Sequence, residues 1–199
     1  MRTVSTTRRA AHYLPHDQSA ATPYADPMQE RSGEAFELDE RLTVVGARLN
    51  VGDVAPPFAL DRIDESGAIT SVSLADSAGA ARLLNVINSI DTPVCQTETR
   101  TWDSRVPAGV EVFTISMDLP FALDRWRQAE SSGHTFLSGH RSDAFGRDYG
   151  VLLKEWRLLQ RAVFVIDAEG AIVHAEYVAD QMREPDYDAA ILQTKRAVL

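Results

Sequence analysis

The 199-residue sequence contains one cysteine, Cys95, so no disulfide can form within the chain. A lone thiol of this kind suits a reducing compartment, where it is either reactive or simply buried. No apolar run approaches the roughly 20 residues needed to span a bilayer. Basic residues are in short supply: Lys plus Arg number 20 against 29 Asp plus Glu, for a net charge of −9. That balance argues against nucleic acid and anionic membrane as partners, since both need a basic face. No glycine-rich phosphate loop follows any predicted strand, which speaks against a nucleotide cofactor. His12 and His16 are four apart but share their segment with Pro15, and His134 and His140 lack ligand spacing, so neither pair reads as a metal site. The expectation is a protein without metal or cofactor.

Hydrophobic residues make up 44% of the chain, enough for a sizeable core in one domain. Residues 1–33 are poor in large aliphatics and rich in Ala, Ser, Thr and Pro, which reads as a flexible N-terminal tail ahead of a domain over 34–199. The tail carries Arg2, Arg8 and Arg9 but no apolar stretch of signal-peptide length. A soluble, cytoplasmic protein is expected.

Residues 35–45 read as two short strands about a turn at Asp39-Glu40, and 50–57 as a rigid, proline-bearing connector. Strands follow at 58–63 and 69–74, about the turn Asp64-Glu65-Ser66-Gly67. Leu83, Leu84, Val86 and Ile87 form the apolar run of a strand buried on both faces. A helix is predicted over 96–105, and another strongly apolar strand over 110–117. A helix capped by Asp118 runs to about Glu130, a short strand covers 135–137, and a short helix at 142–149 stops at Gly150. Strands at 162–166 and 172–178 flank the hairpin turn Asp167-Ala168-Glu169-Gly170, and a last helix starts at Pro185-Asp186. Strands alternating with helices, closed by a hairpin and a helix, indicate an α/β three-layer domain.

The stretch that gathers chemistry is 82–105. The buried strand breaks at Asn88-Ser89 and Asp91-Thr92-Pro93, and Cys95 follows in the first turn of the next helix. There the unpaired backbone N–H groups and the positive end of the helix dipole favour a thiolate over a thiol. A single cysteine is otherwise often an inert small hydrophobe, and Thr92 alone could be a helix cap. A dithiol oxidoreductase is excluded, because Thr92 stands where a Cys-x-x-Cys motif needs its first sulfur.

Ser89-Ile90-Asp91-Thr92-Pro93-Val94-Cys95, Asp118-Leu119-Pro120-Phe121-Ala122, Asp148-Tyr149-Gly150-Val151, Arg161-Ala162 leading into Val165-Ile166-Asp167, and Glu184-Pro185-Asp186-Tyr187 occur in one order. Together they resemble the thiol peroxidase branch of the peroxiredoxins, over about residues 35–199. The resemblance implies a thioredoxin-like fold, with a central mixed sheet flanked by helices and an N-terminal β-hairpin. It implies reduction of hydrogen peroxide or organic hydroperoxides, with Cys95 as the attacking sulfur that becomes a sulfenic acid. It further implies Thr92 as the hydroxyl contacting sulfur and peroxide, Arg141 as the guanidinium that holds the thiolate, and a homodimer. Without the resemblance nothing selects Arg141 over Arg125, Arg127, Arg147 or Arg161. Arg161, just before a buried strand, reads equally as a second charge near the site or as half of an ion pair with Asp or Glu.

Two positions depart from the family pattern. Asn88 replaces a proline seven residues before the cysteine, and Asp124-Arg125-Trp126-Arg127-Gln128 contains no resolving cysteine. Turnover then requires an outside thiol, such as thioredoxin, glutathione or a similar reductant, to attack the Cys95 sulfenic acid. The alternative is a redox-sensing or binding protein on the same fold, in which Cys95 is oxidised once and a partner reads the change.

Overall fold

The computed structural model describes residues 26–198. Its centre is a seven-stranded mixed sheet built from strands β3 (Ala59–Ile63), β4 (Ile69–Ser73), β5 (Ala81–Val86), β6 (Val110–Ser116), β7 (Thr135–Ser138), β10 (Ala162–Ile166) and β11 (Ile172–Tyr177), in the order β11-β10-β5-β6-β7-β3-β4. β5, β6 and β7 run parallel, and the other pairings are antiparallel. Parallel neighbours need crossovers, and helices α1 (Pro93–Arg105) and α2 (Pro120–Glu130) supply them. Helix α3 (Ala144–Asp148) follows β7, and α4 (Tyr187–Ala197) closes the chain.

Every residue of β5 is buried, as its apolar run predicts for a strand covered on both faces. On one face Leu84 and Val86 join Phe113, Ile115, Tyr149 and Phe164 in the main core. On the other, Leu83, Val163 and Val165 meet Trp102 of α1 and Ile191 of α4. Asn85 is the polar exception, fully buried but bonded on both ends of its amide. Its Nδ2 donates to Thr99 Oγ1 (3.3 Å) and Thr114 Oγ1 (3.2 Å), and its Oδ1 accepts from Trp102 Nε1 (3.1 Å). This amide ties β5 to β6 and fixes the seating of α1.

The N-terminal hairpin pairs β1 (Glu30–Glu37) with β2 (Glu40–Val45). The stretch read as a tail, 1–33, therefore already contains strand from Glu30, while residues 1–25 lie outside the described residues. The hairpin also does not stand alone. Two strands absent from the sequence reading, β8 (Leu152–Leu153) and β9 (Leu158–Leu159), extend it into a second sheet of order β1-β2-β8-β9. With two residues each, they carry no periodicity to read. A second difference concerns α2, whose N-cap is Leu119 rather than Asp118. The Asp118 carboxylate is instead taken by Ser116 Oγ (2.7 Å), Ser89 Oγ (2.8 Å) and the backbone N–H of Ile90 (2.8 Å). It staples the loop before Cys95 to the end of β6.

Gly46 and Gly150 let the chain leaving β2 pass close to the chain between α3 and β8. Gly150 has φ +61°, and a Cβ there would lie 2.2 Å from the carbonyl oxygen of Ala47. Gly150→Ala is therefore expected to cost roughly 2–3 kcal/mol, read as a lowered midpoint in urea denaturation.

Candidate active site

Cys95 occupies the first turn of α1, which starts with Pro93 in a position suited to its missing N–H. Thr92 is the N-cap residue, yet its side chain makes no capping bond. Its hydroxyl donates to the carbonyl of Ser89 (3.0 Å), and its own carbonyl accepts from Gln96 N (3.0 Å). The first-turn amides are thus left without a side-chain cap, beside the sulfur. Thr99 donates to the Cys95 carbonyl (2.8 Å), and Asn85 holds Thr99, so the buried strand sets the position of the cysteine.

The sulfur itself has no solvent exposure. Ile87, Ile90, Leu123, Trp126 and Phe136 form its apolar surroundings. The remaining side is not apolar: Arg161 Nη2 donates to Cys95 Sγ at 3.4 Å. Arg161, from the residue before β10, is 1% exposed and forms a buried ion pair between its Nη1 and Glu98 Oε2. Its Nη2 also reaches the Gln181 carbonyl (3.0 Å) and Asn88 Oδ1 (3.5 Å), and its backbone N–H donates to Gln181 Oε1 (2.9 Å). Burial pulls the Arg161 pKa down, but the Glu98 carboxylate and the Cys95 sulfur together outweigh it and raise the pKa above its ordinary value. The guanidinium is a fixed cation.

Of the three residues assigned by sequence, Cys95 and Thr92 are brought together and Arg141 is not placed with them. Arg141 lies on the loop after β7, 64% exposed at its side chain, where its Nε pairs with Asp61 Oδ2 at 2.7 Å. The guanidinium bonded to the sulfur belongs to Arg161. Antiparallel pairing of β10 with β5 sets Ala162 opposite Val86, which carries Arg161 to the end of β5 where the cysteine loop begins. Both readings of Arg161 hold at once, charge near the site and half of an ion pair. A signal for it was present: an arginine at the mouth of a wholly apolar strand must find a buried acidic partner.

Glu98, one turn after Cys95 on the same helix, is the residue that sequence reading passed over. It has no exposure, and its Oε1 has no hydrogen-bond partner. Burial pushes its carboxyl up to about 7 from 4.5, against the pull of Arg161. A carboxyl raised in this sense favours the folded state most below about pH 4.5, and that contribution is lost as pH rises through about 7.

Asn88, in place of the expected proline, donates from Nδ2 to the Leu159 carbonyl (2.6 Å) and to Gln181 Oε1 (3.0 Å). It joins the cysteine loop to the segment that carries Arg161. Asn88→Ala should cost about 1–3 kcal/mol in chemical denaturation, since the Leu159 carbonyl and Gln181 Oε1 both lose the donor that Nδ2 supplies. Among the described residues no group of three or more His, Cys, Asp or Glu could hold a metal ion. No helix there is long and apolar enough to cross a membrane.

Comparison with known proteins agrees with this geometry. The AhpC/TSA family model matches residues 51–175. Thiol peroxidase from Streptococcus sanguinis is 43% identical over 161 residues, covering 79% of this chain and 96% of the relative. Thiol peroxidase from Halalkalibacterium halodurans is 43% identical over 160 residues, with 79% and 94% covered. Among solved structures, a peroxiredoxin-like protein from Aquifex aeolicus superposes with TM-score 0.73 at 30% identity, over 84% of this chain and 99% of its own. A thiol peroxidase from Chromobacterium violaceum, at 24% identity and TM-score 0.70, shares the fold over 81% and 95% of the two chains. With a buried cysteine at a helix start on a peroxiredoxin scaffold, the chain belongs to the AhpC/TSA family, in the branch of the thiol peroxidases.

Proposed function

We propose that the protein is a one-cysteine thiol peroxidase, with Cys95 as nucleophile and Arg161 as the cation that serves it. The observation that carries this reading is the Arg161 Nη2–Cys95 Sγ hydrogen bond at the start of α1. The Cys95 thiolate attacks one oxygen of ROOH, the S–O bond forms and the O–O bond breaks. The peroxide's proton stays on the oxygen bound to sulfur, giving Cys–SOH, and the departing RO⁻ takes a proton to become ROH. A guanidinium remains charged throughout and can stabilise both the thiolate and the charge growing on the leaving oxygen. Thr92, freed from the Ser89 carbonyl, has a hydroxyl within the same turn for the peroxide.

With no second cysteine in the chain, an external thiol must attack the sulfenic sulfur, releasing water and leaving a mixed disulfide. A second equivalent of thiol then restores Cys95. The reductant class is a small thiol or a thioredoxin-type dithiol. A homodimer is part of this reading, and exposed Leu119 and Phe121 at the start of α2 offer apolar surface for it. The sensor reading is the weaker one, because the relatives are named as peroxidases.

Stopped-flow mixing of reduced protein with hydrogen peroxide or an alkyl hydroperoxide tests the function. Cys95 should be consumed far faster than a free thiol at the same pH. Because the sulfur is fully covered, the observed rate should level off at high peroxide, where opening of the 88–94 segment becomes limiting. Consumption no faster than that of a free thiol would sink the assignment.

A further inference from the structure

One guanidinium, that of Arg161, faces two acids on the same helix. Nη1 engages the Glu98 carboxylate and Nη2 engages the Cys95 sulfur, and all three side chains are cut off from water. Cys95 and Glu98 are three apart on α1 and therefore lie on one face of the helix. Water cannot screen the site, and no second cation bonds to Glu98 or Cys95 among the described residues. The other oxygen of Glu98 is buried with no donor, so full ionisation of this carboxyl is left poorly compensated.

We propose that Glu98 is a positioning residue that meters the charge Arg161 offers to Cys95. With the Glu98 carboxyl protonated, the guanidinium serves the sulfur alone; with it ionised, the two acids divide a single cation. The reduced site accordingly holds one negative charge more readily than two, and ionisation of either acid opposes ionisation of the other. The proposal rests on the reading of Cys95 as the reactive sulfur.

The titratable groups facing Glu98 are consistent with this competition. Arg161, just before β10, is the cation that favours its ionised form. Cys95 on its own helix competes for that cation. Glu184, ahead of α4, adds like charge, and the Tyr187 phenol of α4, bonded to Glu184, adds no cation. Burial dominates and holds the carboxyl at about 7, so its charge changes where the enzyme would work. Asn88 and Gln181, the remaining partners of Arg161, are neutral and anchor the guanidinium without drawing on its charge.

The test compares wild type with Glu98→Gln, which keeps the shape and removes the ionisation. Alkylation of Cys95 by iodoacetamide is followed by intact mass from about pH 5 to about pH 9. Where Cys95 ionises after Glu98, the ratio of variant to wild-type rate should be near one at the acidic end and rise with pH to as much as about tenfold, the size of one unit of pKa coupling. A ratio that is flat at any value, together with an unmoved Glu98 midpoint in the measurement below, overturns the proposal, because whichever acid ionises second must carry the coupling. So does a ratio that falls with pH.

A second measurement needs no change at Glu98. Where Cys95 ionises ahead of Glu98 the coupling falls on the carboxyl instead: in ¹³C spectra of the full chain, Glu98 then titrates about one unit lower in Cys95→Ser than in wild type, since its competitor for Arg161 is gone. An unmoved midpoint beside a flat alkylation ratio leaves no coupling between the two acids and overturns the proposal. Neither readout needs peroxide to react. A protein that behaves as described here yet leaves peroxide untouched would lose the peroxidase assignment and keep this one.

Discussion

Arg161→Met is expected to slow the reaction of Cys95 with peroxide by about 10²–10³-fold, the usual effect of deleting one fixed donor at a developing charge. Arg141→Met should leave it within about twofold, since an exposed pair with Asp61 contributes little. The two arginines thus separate in a single stopped-flow comparison, and equal losses in both would overturn the role given to Arg161. The same substitution removes the one cation paired with Glu98. Breaking a buried pair commonly costs about 3–5 kcal/mol, because a charge is left uncompensated. Glu98 has an escape, however, since it can take up a proton and become neutral. The loss of stability should therefore be smallest in acid and grow as pH rises through about 7. Urea denaturation of Arg161→Met at several pH values checks this sign. Arg161→Lys tests geometry separately from charge: an ammonium cannot reach sulfur and carboxylate with two fixed arms, so most of the rate loss should remain.

Cys95→Ser should abolish turnover altogether, because the chain has no other thiol to take its place. Intact-mass analysis after one equivalent of peroxide gives the cleanest reading. Wild type should gain one oxygen, or the mass of the added thiol when one is present, and the variant should gain neither. In the absence of any reductant, wild type should consume about one peroxide per chain and stop. Continued consumption by Cys95→Ser would show that the oxidisable group lies elsewhere. The variant should fold, since serine replaces sulfur in a site that already holds the Nη2 donor of Arg161.

The order of strands and helices was legible because each long element carried its own period or its own punctuation. β5 announced itself by an unbroken apolar run, α1 by the polar break before it, and the 162–178 hairpin by its Asp-Ala-Glu-Gly turn. Cys95 could be placed at the start of α1 for the same reason, since strand, break and helix are contiguous in the chain. The two-residue strands β8 and β9 were out of reach, because pairing partners rather than local preference make them strands.

Local sequence by itself determined the α/β class, the position of Cys95 in a first helical turn and the lack of a second cysteine that could close a disulfide within the chain. Which cation meets the sulfur was a matter for the tertiary structure alone. Arg161 stands 66 residues from Cys95 and reaches it through the register of β10 on β5, while Arg141 is drawn off by Asp61. The burial of Glu98 beside them was equally invisible, since a glutamate within a polar-looking helix ordinarily faces water. Charge pairing in a dry interior depends on distances between strands, and those are set only once the sheet has formed.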